Sequence, residues 1–393
     1  MARNVYVAGV GMTRFRRPSE RAQYELLAGE AIKAALGDAG ISYDAVEQVY
    51  AGYVYGDSTS GQRAVYPVGL TGVPIINVNN NCSSGSTALY LARQAVAGGA
   101  VECALALGFE QMPAGALDLY FPDRTSPLDR HLAVSDDFLG ADDQGPMTLK
   151  AFAAAAREHM QRDGIEASSY AKVAVKARHH AAKNPNAVFR DEVSVEEVLE
   201  SKKFLDPMTK FQCCPPTSGS AAALVCSEAF LARHGIDNAI KIAAQSMVTD
   251  FDSSFKTSAI DMVGADISSE AAKEVYEAAG IGPNEVDVVE LHDCFTINEA
   301  LSYESLGLTP KGTAAKFIED GDNTYGGKVV VNPSGGLLSK GHPLGATGLA
   351  QCAELVWQLR GEAEARQVEG ARHGLQHNVG LGGAAVVTLY QNA

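Results

Sequence analysis

The chain contains 393 residues, of which 46% are hydrophobic and 20% are charged, as in globular proteins that fold around a large core. At roughly 150 residues per domain, this length predicts two to three domains. With 32 basic and 47 acidic residues the net charge is −15. This charge argues against a nucleic-acid-binding protein or one that binds anionic membranes, because both need a basic face.

The N-terminal region alternates between strand and helix patterns. Strands are predicted at residues 5–10, 46–55, 75–78 and 104–107, and helices at residues 20–40 and 83–97. No apolar run approaches the roughly 18 residues needed to span a bilayer. The alternation predicts an α/β domain whose sheet is covered on both faces.

The pattern changes at residue 113. Residues 113–216 are richer in charge and proline, and helices are predicted at 148–163 and 168–183. Strand patterns return at 221–225 and 241–248, and a second alternation of helix and strand begins at Ser268. We interpret residues 113–216 as a domain inserted into the first α/β unit.

The second alternation resembles the first. Residues 30–49 and 270–289 align without gaps, and eight of the twenty positions are identical. A weaker match, at an offset of 260, places Cys82 opposite His342. We infer two related halves, residues 1–112 completed by 217–250 and residues 251–393, with equivalent strand-to-helix turns that can meet at the centre.

Cys82 lies within Asn79–Gly85, between a short strand and a helix. A thiol at a helix N-terminus is exposed to the positive end of the helix dipole, which favours the thiolate. The alternative is a buried structural cysteine, but the polar Asn and Ser residues around it do not suit an apolar slot.

Three further motifs follow predicted strands. His342 stands before a helix and is a candidate base for Cys82. His292, Asp293 and Cys294 could suggest zinc, but adjacent residues point in different directions, so we predict proton transfer and no metal site. The glycines of 377–383 could present N–H groups to an oxyanion, or they could form only a flexible turn.

Together these motifs resemble the thiolase superfamily, and within it the sterol carrier protein X type. The resemblance rests on residues 79–85, 292–295 with Asn298 and Glu299, 332–336, 339–348 and 375–383. It implies a five-layered α-β-α-β-α fold with an inserted loop domain, and a homodimer or a dimer of dimers. It also implies coenzyme A as a co-substrate and no permanently bound cofactor.

The resemblance also implies residue roles. Cys82 would be the nucleophile that accepts the acyl group, and His342 its base. Standard thiolases have a second cysteine where this chain has Asn378, so the second acid and base would be Cys294. His292 would contribute to the first oxyanion hole, and the backbone N–H groups of Cys82 and Gly380 would form the second.

Coenzyme A is anionic, so an acidic protein needs local cations to bind it. The helix at 170–183 carries Lys172, Lys176 and Arg178, although a solvated helix face explains such residues equally well. The turn at Ser218 and Ser220, and Asn378, are further candidates for substrate contacts. Cys213 and Cys214 are predicted to be inert packing residues.

Three functions remain open at this point. The first is a 3-oxoacyl-CoA thiolase for branched or bulky acyl chains. The second is a condensing enzyme or steroid side-chain retro-aldolase of the same fold, and the third is a non-catalytic lipid carrier. We expect a cytoplasmic protein, because the sequence shows no signal peptide and Gln391-Asn392-Ala393 is no peroxisomal address.

Overall fold

The computed structural model describes residues 3–115, 121–139 and 145–392. The strands within these residues are β1 Val5–Met12, β2 Gln48–Gly52, β3 Ile75–Val78, β4 Cys103–Gln111, β5 Lys203–Leu205, β6 Met208–Thr209, β7 Ser218–Ser227, β8 Ile240–Val248, β9 Val288–Glu290, β10 Val330–Val331, β11 His373–Gly380 and β12 Ala384–Gln391.

The helices are α1 Tyr24–Ala39, α2 Ser60–Val65, α3 Ser84–Ala97, α4 Asp129–Leu139, α5 Met147–Asp163, α6 Ala167–Ala181, α7 Val195–Glu200, α8 Glu228–His234, α9 Ala259–Met262, α10 Ala265–Ala279, α11 Thr296–Ser305, α12 Ala314–Glu319 and α13 Leu344–Arg360. The helix predicted from residue 20 begins later, because Arg21 adopts a left-handed φ of 50°. No helix in the described part of the chain is long and apolar enough to cross a membrane.

The two sets of five strands have the same order. The first runs β3-β2-β4-β7-β1 and the second β10-β9-β11-β12-β8, and β1 joins β8 through two residue pairs. β8 pairs with β12 over seven residues. By hydrogen bonding β8 is therefore the first strand of the second half, and we propose that the predicted boundary at 250 be moved to before Ile240.

Helices and sheets form the predicted five layers. Helix α1 packs on β1 and β7, α10 packs on β8 and β12, and α3 and α13 lie together between the sheets. Alternate residues of β7 enter different cores: Ala223 packs with α3 and α13, whereas Leu224 packs with α1. Both faces of this strand are therefore buried, which explains its continuous apolar sequence.

Helices α3 and α13 cross where glycines allow their backbones to touch. A Cβ atom on Gly85 would lie 2.5 Å from the carbonyl oxygen of Gly345, and one on Gly348 would lie 2.1 Å from Ser86 Oγ. Real Cβ atoms do not approach other atoms this closely. The crossing brings the N-termini of both helices, and the residues just before them, to the centre of the molecule.

Candidate active site

Cys82 lies at the turn between β3 and α3, as predicted. The preceding residue, Asn81, has a left-handed φ of 50°, a conformation that asparagine tolerates better than most residues. The Asn81 side chain donates a hydrogen bond of 2.8 Å to the carbonyl oxygen of Leu381. This bond ties the Cys82 turn to the turn that follows β11.

His342 lies at the equivalent turn of the second half, just before α13. Its Nδ1 atom is 2.7 Å from Thr347 Oγ1, and the Thr347 hydroxyl donates to the carbonyl oxygen of Pro343. The hydroxyl proton is therefore already used, so Nδ1–H of His342 is the donor. The lone pair then lies on Nε2, which is buried and has no hydrogen-bond partner among the described residues.

His292 follows β9 and faces His342. The two rings meet edge to face with centroids 5.1 Å apart. The Asn378 side chain, on β11, lies 2.8 Å from His292 Nδ1. Asn378 is fully buried and contacts another side chain of the site, and its contact with substrate stays a prediction.

The four side chains named as catalytic line one cavity of about 520 Å³, and they are Cys82, His292, Cys294 and His342. The sulfur of Cys82 and one nitrogen of each histidine lie within 4.8 Å of one another. The rest of the cavity wall is largely apolar and includes Met112, Leu149, Phe152, Phe204, Phe295 and Leu344.

Cys213 and Cys214 also line this cavity. Burial raises the pKa of both thiols, so their inertness stays a prediction. The Cys214 amide donates to the carbonyl oxygen of Cys294. The segment is thus hydrogen-bonded to the loop that carries Cys294. Two adjacent cysteines followed by two prolines just before β7 were the available signal in the sequence.

Burial dominates the electrostatics of the site. It raises the pKa of Cys82 to about 12, although N–H groups of Cys82 and Leu381 act in the opposite direction. Burial lowers the pKa of His342 to about 3 and raises that of Cys294 well above its usual value. The expected thiolate at the start of α3 is therefore not the resting form, since burial outweighs the helix terminus.

Gly380 lies against the Cys82 turn. A Cβ atom at this position would stand 2.1 Å from the carbonyl oxygen of Asn80 and 2.7 Å from Ser83 Oγ. Only a glycine fits there, because the nearest atom belongs to the backbone. The geometry brings Gly380 and Cys82 together, which the predicted oxyanion role of their N–H groups requires.

The structure separates the coenzyme A candidates of α6. The Lys172 amine pairs with Glu319 at the surface. The Lys176 amine is buried, pairs with Glu299 and donates to the carbonyl oxygen of Val331. Lys176 therefore fixes the backbone at Val331, in the segment that leads to His342. Its amine is not free to bind an anion, contrary to the prediction.

Arg178 is half-buried on α6. Its guanidinium lies over the rings of Phe189 and Phe211, at 4.4 and 5.4 Å from their centroids. Two further cations, Arg17 and Lys210, lie over the same two rings. Residues 210–216 lead from this group of cations directly to the cavity wall.

Ser218 and Ser220 do not form the predicted turn. Both belong to strand β7 and are buried. The Ser220 hydroxyl donates 2.7 Å to the carbonyl oxygen of Gly108, so it is used within the sheet. The pattern Ser-Gly-Ser suggested a loop, but strand pairing with β4 overrode it.

Within the described ranges, two groups of side chains have the spacing of metal ligands. The first is Cys82, His292 and His342, and the second is His159, Asp163 and Glu304. In the second group Arg162 already pairs with both carboxylates. A cation there would have to displace the guanidinium.

Two family models match the chain. "Thiolase, N-terminal domain" matches residues 5–229 and "Thiolase C-terminal domain-like" matches residues 251–391. Sterol carrier protein 2 of Oryctolagus cuniculus is 56% identical over 98% of the chain and 72% of that protein. The acetyl-CoA acetyltransferase of Methanothermobacter thermautotrophicus is 35% identical over 99% of both chains.

A solved structure described as an "Ltp2-ChsH2(DUF35) aldolase" shares the fold. It superposes with a TM-score of 0.83, covers 99% of this chain and 98% of its own, and is 22% identical. With both family models matched over most of its length, the chain belongs to the thiolase family of acyltransferases, whose members use coenzyme A as a substrate.

Proposed function

We propose that this protein is a 3-oxoacyl-CoA thiolase that cleaves its substrate through an acyl-Cys82 intermediate. The observation that carries this proposal is the meeting of the Cys82 thiol, the free Nε2 lone pair of His342 and the Cys294 thiol in one apolar cavity. A nucleophile, a base for it and a separate proton donor are the groups this cleavage needs.

In the first half-reaction, Cys82 Sγ attacks the ketone carbon at position 3 and His342 Nε2 takes the thiol proton. The ketone oxygen becomes an oxyanion. The bond between carbons 2 and 3 then breaks, the acyl group stays on Cys82, and the electron pair leaves with the thioester enolate. The Cys294 thiol protonates carbon 2, which releases acetyl-CoA or propionyl-CoA.

In the second half-reaction, the Cys294 thiolate takes the proton of coenzyme A. The new thiolate attacks the acyl-Cys82 carbonyl carbon, a shortened acyl-CoA leaves, and Cys82 recovers its proton from His342. Because burial favours neutral thiols and a neutral imidazole at rest, charge forms only when substrate is bound. Donors to the oxyanion are each worth about 10²–10³ in rate.

The apolar wall of the cavity supports a branched or bulky acyl chain. Aromatic and aliphatic side chains from α5, the β5 region and the start of α11 surround the space, among them Phe152, Phe204 and Phe295. Covering apolar groups of the substrate with such a lining stabilises the bound complex by about 25 cal/mol per Å² of apolar surface. The proposal therefore favours 2-methyl-branched or steroid chains over acetoacetyl groups.

We propose that the phosphates of coenzyme A bind near Arg178. The group formed by Arg17, Arg178 and Lys210 concentrates positive charge at the surface of an acidic protein, and it adjoins the segment that leads to the cavity. Arg178→Ala should raise the KM for coenzyme A about tenfold. Lys172→Ala is the matched control, because that amine already pairs with Glu319.

A coenzyme A-dependent cleavage assay with straight, 2-methyl-branched and steroid 3-oxoacyl-CoAs tests the proposal. Cys82→Ala should abolish cleavage, Cys294→Ala should slow it, and wild type incubated without coenzyme A should gain an acyl mass on the Cys82 peptide. Full cleavage by Cys82→Ala would refute the acyl-Cys82 route.

A retro-aldolase is the second candidate, favoured by the likeness to the aldolase structure. It would release a ketone or aldehyde without consuming coenzyme A, so product analysis separates the two. A non-catalytic carrier would give no product. The rate at which Cys82 is alkylated does not separate a carrier from an enzyme. Burial alone makes this thiol unreactive, so slow alkylation is expected for both.

We also propose a homodimer formed through the free edge at β3. This strand stands at the end of its sheet, and Tyr66 and Leu70 beside it are 47% and 78% exposed. An unpaired edge with apolar neighbours readily accepts a second strand. Light scattering should show a dimer, and Leu70→Asp should weaken it.

The cytoplasmic location stays a prediction.

A further inference from the structure

The Cys82, His292 and His342 cluster has the donor types of a zinc site and the position of an oxyanion site. Whether the cluster can bind zinc or can stabilise an oxyanion depends on which ring nitrogen of His292 carries the proton. We propose that Asn378 is a positioning residue that holds the proton on Nε2 of His292, so that the ring donates a hydrogen bond into the cavity and cannot ligate a metal. The catalytic consequence rests on the proposed function.

The proton position follows from a chain of hydrogen bonds that begins at a backbone carbonyl. Gln376 Nε2 donates 2.7 Å to the carbonyl oxygen of Gly348, which can only accept. This contact fixes the orientation of the Gln376 amide. The second hydrogen of the same nitrogen is donated to Ser86 Oγ at 2.9 Å.

The chain continues through Ser86 to the histidine. The Ser86 hydroxyl accepts from Gln376 and donates its single hydrogen to Asn378 Oδ1 at 2.9 Å. The Asn378 amide is therefore oriented with Nδ2 toward His292 Nδ1 at 2.8 Å. Because an amide nitrogen can only donate, Nδ1 carries the lone pair and Nε2 carries the proton.

All members of this chain are buried and none carries a formal charge, Gln376, Ser86, Asn378 and His292 being at most 2% exposed. A buried chain in which each group has its partner is rigid, since breaking one bond leaves a polar group unsatisfied. The side-chain amide oxygen of Gln376, Oε1, also has a partner, because the Tyr390 hydroxyl donates to it at 2.5 Å. The tautomer of His292 is thus set by residues of β11, α3 and β12.

Zinc-bound histidines use the opposite arrangement. They usually donate the remote N–H to a carboxylate or a carbonyl, which leaves the other nitrogen free to bind metal. Asn378→Asp replaces the donor at Nδ1 with an acceptor of nearly the same shape. The proton of His292 would move to Nδ1, and Nε2 would join Cys82 and His342 as a ligand.

Three measurements on the 393-residue chain test this inference. With ¹⁵N-histidine labelling, the His292 ring should show protonated Nε2 in wild type and protonated Nδ1 in Asn378→Asp. Zinc affinity, measured against a chromophoric chelator, should rise about 10–100-fold in Asn378→Asp. Its kcat for cleavage should fall about 10²–10³-fold with a much smaller change in KM.

Asn238→Asp is the matched control, because it adds the same charge at an exposed position and should leave all three readouts at wild-type values. Wild-type His292 protonated on Nδ1 would overturn the inference, and this spectrum needs no variant if Asn378→Asp fails to fold. A folded Asn378→Asp with wild-type zinc affinity would also overturn it. If Cys82→Ala cleaves normally, the proposed function fails, while the spectra and zinc affinities still judge the tautomer.

Discussion

The two halves of the molecule share one architecture and differ in the chemistry of equivalent turns. Thr87 and Thr347 occupy matching positions in α3 and α13, and each donates 3.0 Å to the carbonyl oxygen four residues earlier. Each then accepts a hydrogen bond from the preceding turn. In the first half the donor is Asn80, and in the second it is His342.

This difference teaches how a repeated fold can build an asymmetric site. The repeat places equivalent helix N-termini side by side, so whatever residues precede them must meet. The first half supplies a thiol there, and the second supplies an imidazole oriented by a threonine that the first half uses for structure alone. Symmetry determines the meeting point, and local side chains determine the roles.

The chemical asymmetry can be broken most strongly at His342. His342→Ala removes the free imidazole lone pair next to Cys82 and should lower kcat for cleavage about 10²–10⁴-fold. His179→Ala, at an exposed ring that pairs with Glu192, should leave kcat unchanged. Cleavage by His342→Ala within tenfold of wild type would contradict the assigned base.

Glu110 joins the two halves and gives the next largest effect. Its carboxylate accepts from the amides of Val54 and Tyr55 in the first half and of Gly345 in the second. Burial raises its pKa from 4.5 to about 7. The folded state therefore keeps the proton longer than the unfolded state does.

Protonated Glu110 therefore stabilises the fold, and this stabilisation decreases as the pH rises. Below about pH 4.5 Glu110 is protonated in both the folded and the unfolded state, and its contribution to the free energy of unfolding is complete. This contribution is lost as the pH rises to about 7. Above that pH the free energy of unfolding no longer changes through Glu110. The difference corresponds to about 3 kcal/mol. Denaturant titrations of wild type and Glu110→Gln should show their free energies of unfolding changing relative to each other by about this amount between pH 4.5 and 7. Parallel curves would exclude the raised pKa.

The packing of the start of α13 against β2 and β4 can be tested at Gly345. A Cβ atom there would lie 2.5 Å from the carbonyl oxygen of Phe109 and 2.6 Å from that of Gly52. Since backbone atoms cannot move aside easily, Gly345→Ala should lower the free energy of unfolding by about 1–3 kcal/mol. Gly37→Ala, in open space on α1, should instead raise it by about 0.4–1 kcal/mol.

The smallest expected effect sharpens the comparison of the two threonines. Thr347→Val removes the acceptor for Nδ1–H of His342 and should lower kcat about tenfold, the value of one hydrogen bond. Thr87→Val makes the same change in the other half and should lower kcat clearly less. Equal losses in the two variants would show that Thr347 acts on the fold and not on the base.

Much of the fold was predictable because its signals are local. The strand at 75–78, the helix from 83 to 97 and the repeat between 30–49 and 270–289 all follow from short-range patterns, and each has its counterpart in the structure. The start of α1 was not, because the break at Arg21 depends on a turn conformation and not on hydrophobic spacing.

The candidate site divides in the same way. Cys82 and His342 were found because each stands in a distinctive local motif. Lys176 is predicted as a coenzyme A contact because a charged residue usually lies at the surface, yet its partner Glu299 is 123 residues away. Cys214 is predicted to be a packing residue because nothing nearby in sequence reveals that it lies beside Cys294.

The sequence by itself determined the helix and strand order, the doubling of the unit and the residue types at each turn, since these depend on spacing along one chain. Only the tertiary structure decided protonation and contact: which ring nitrogen of His342 is free, that Asn378 faces His292, and that burial keeps Cys82 neutral. The physical reason is that hydrogen-bond direction and desolvation depend on neighbours that folding brings from distant parts of the chain.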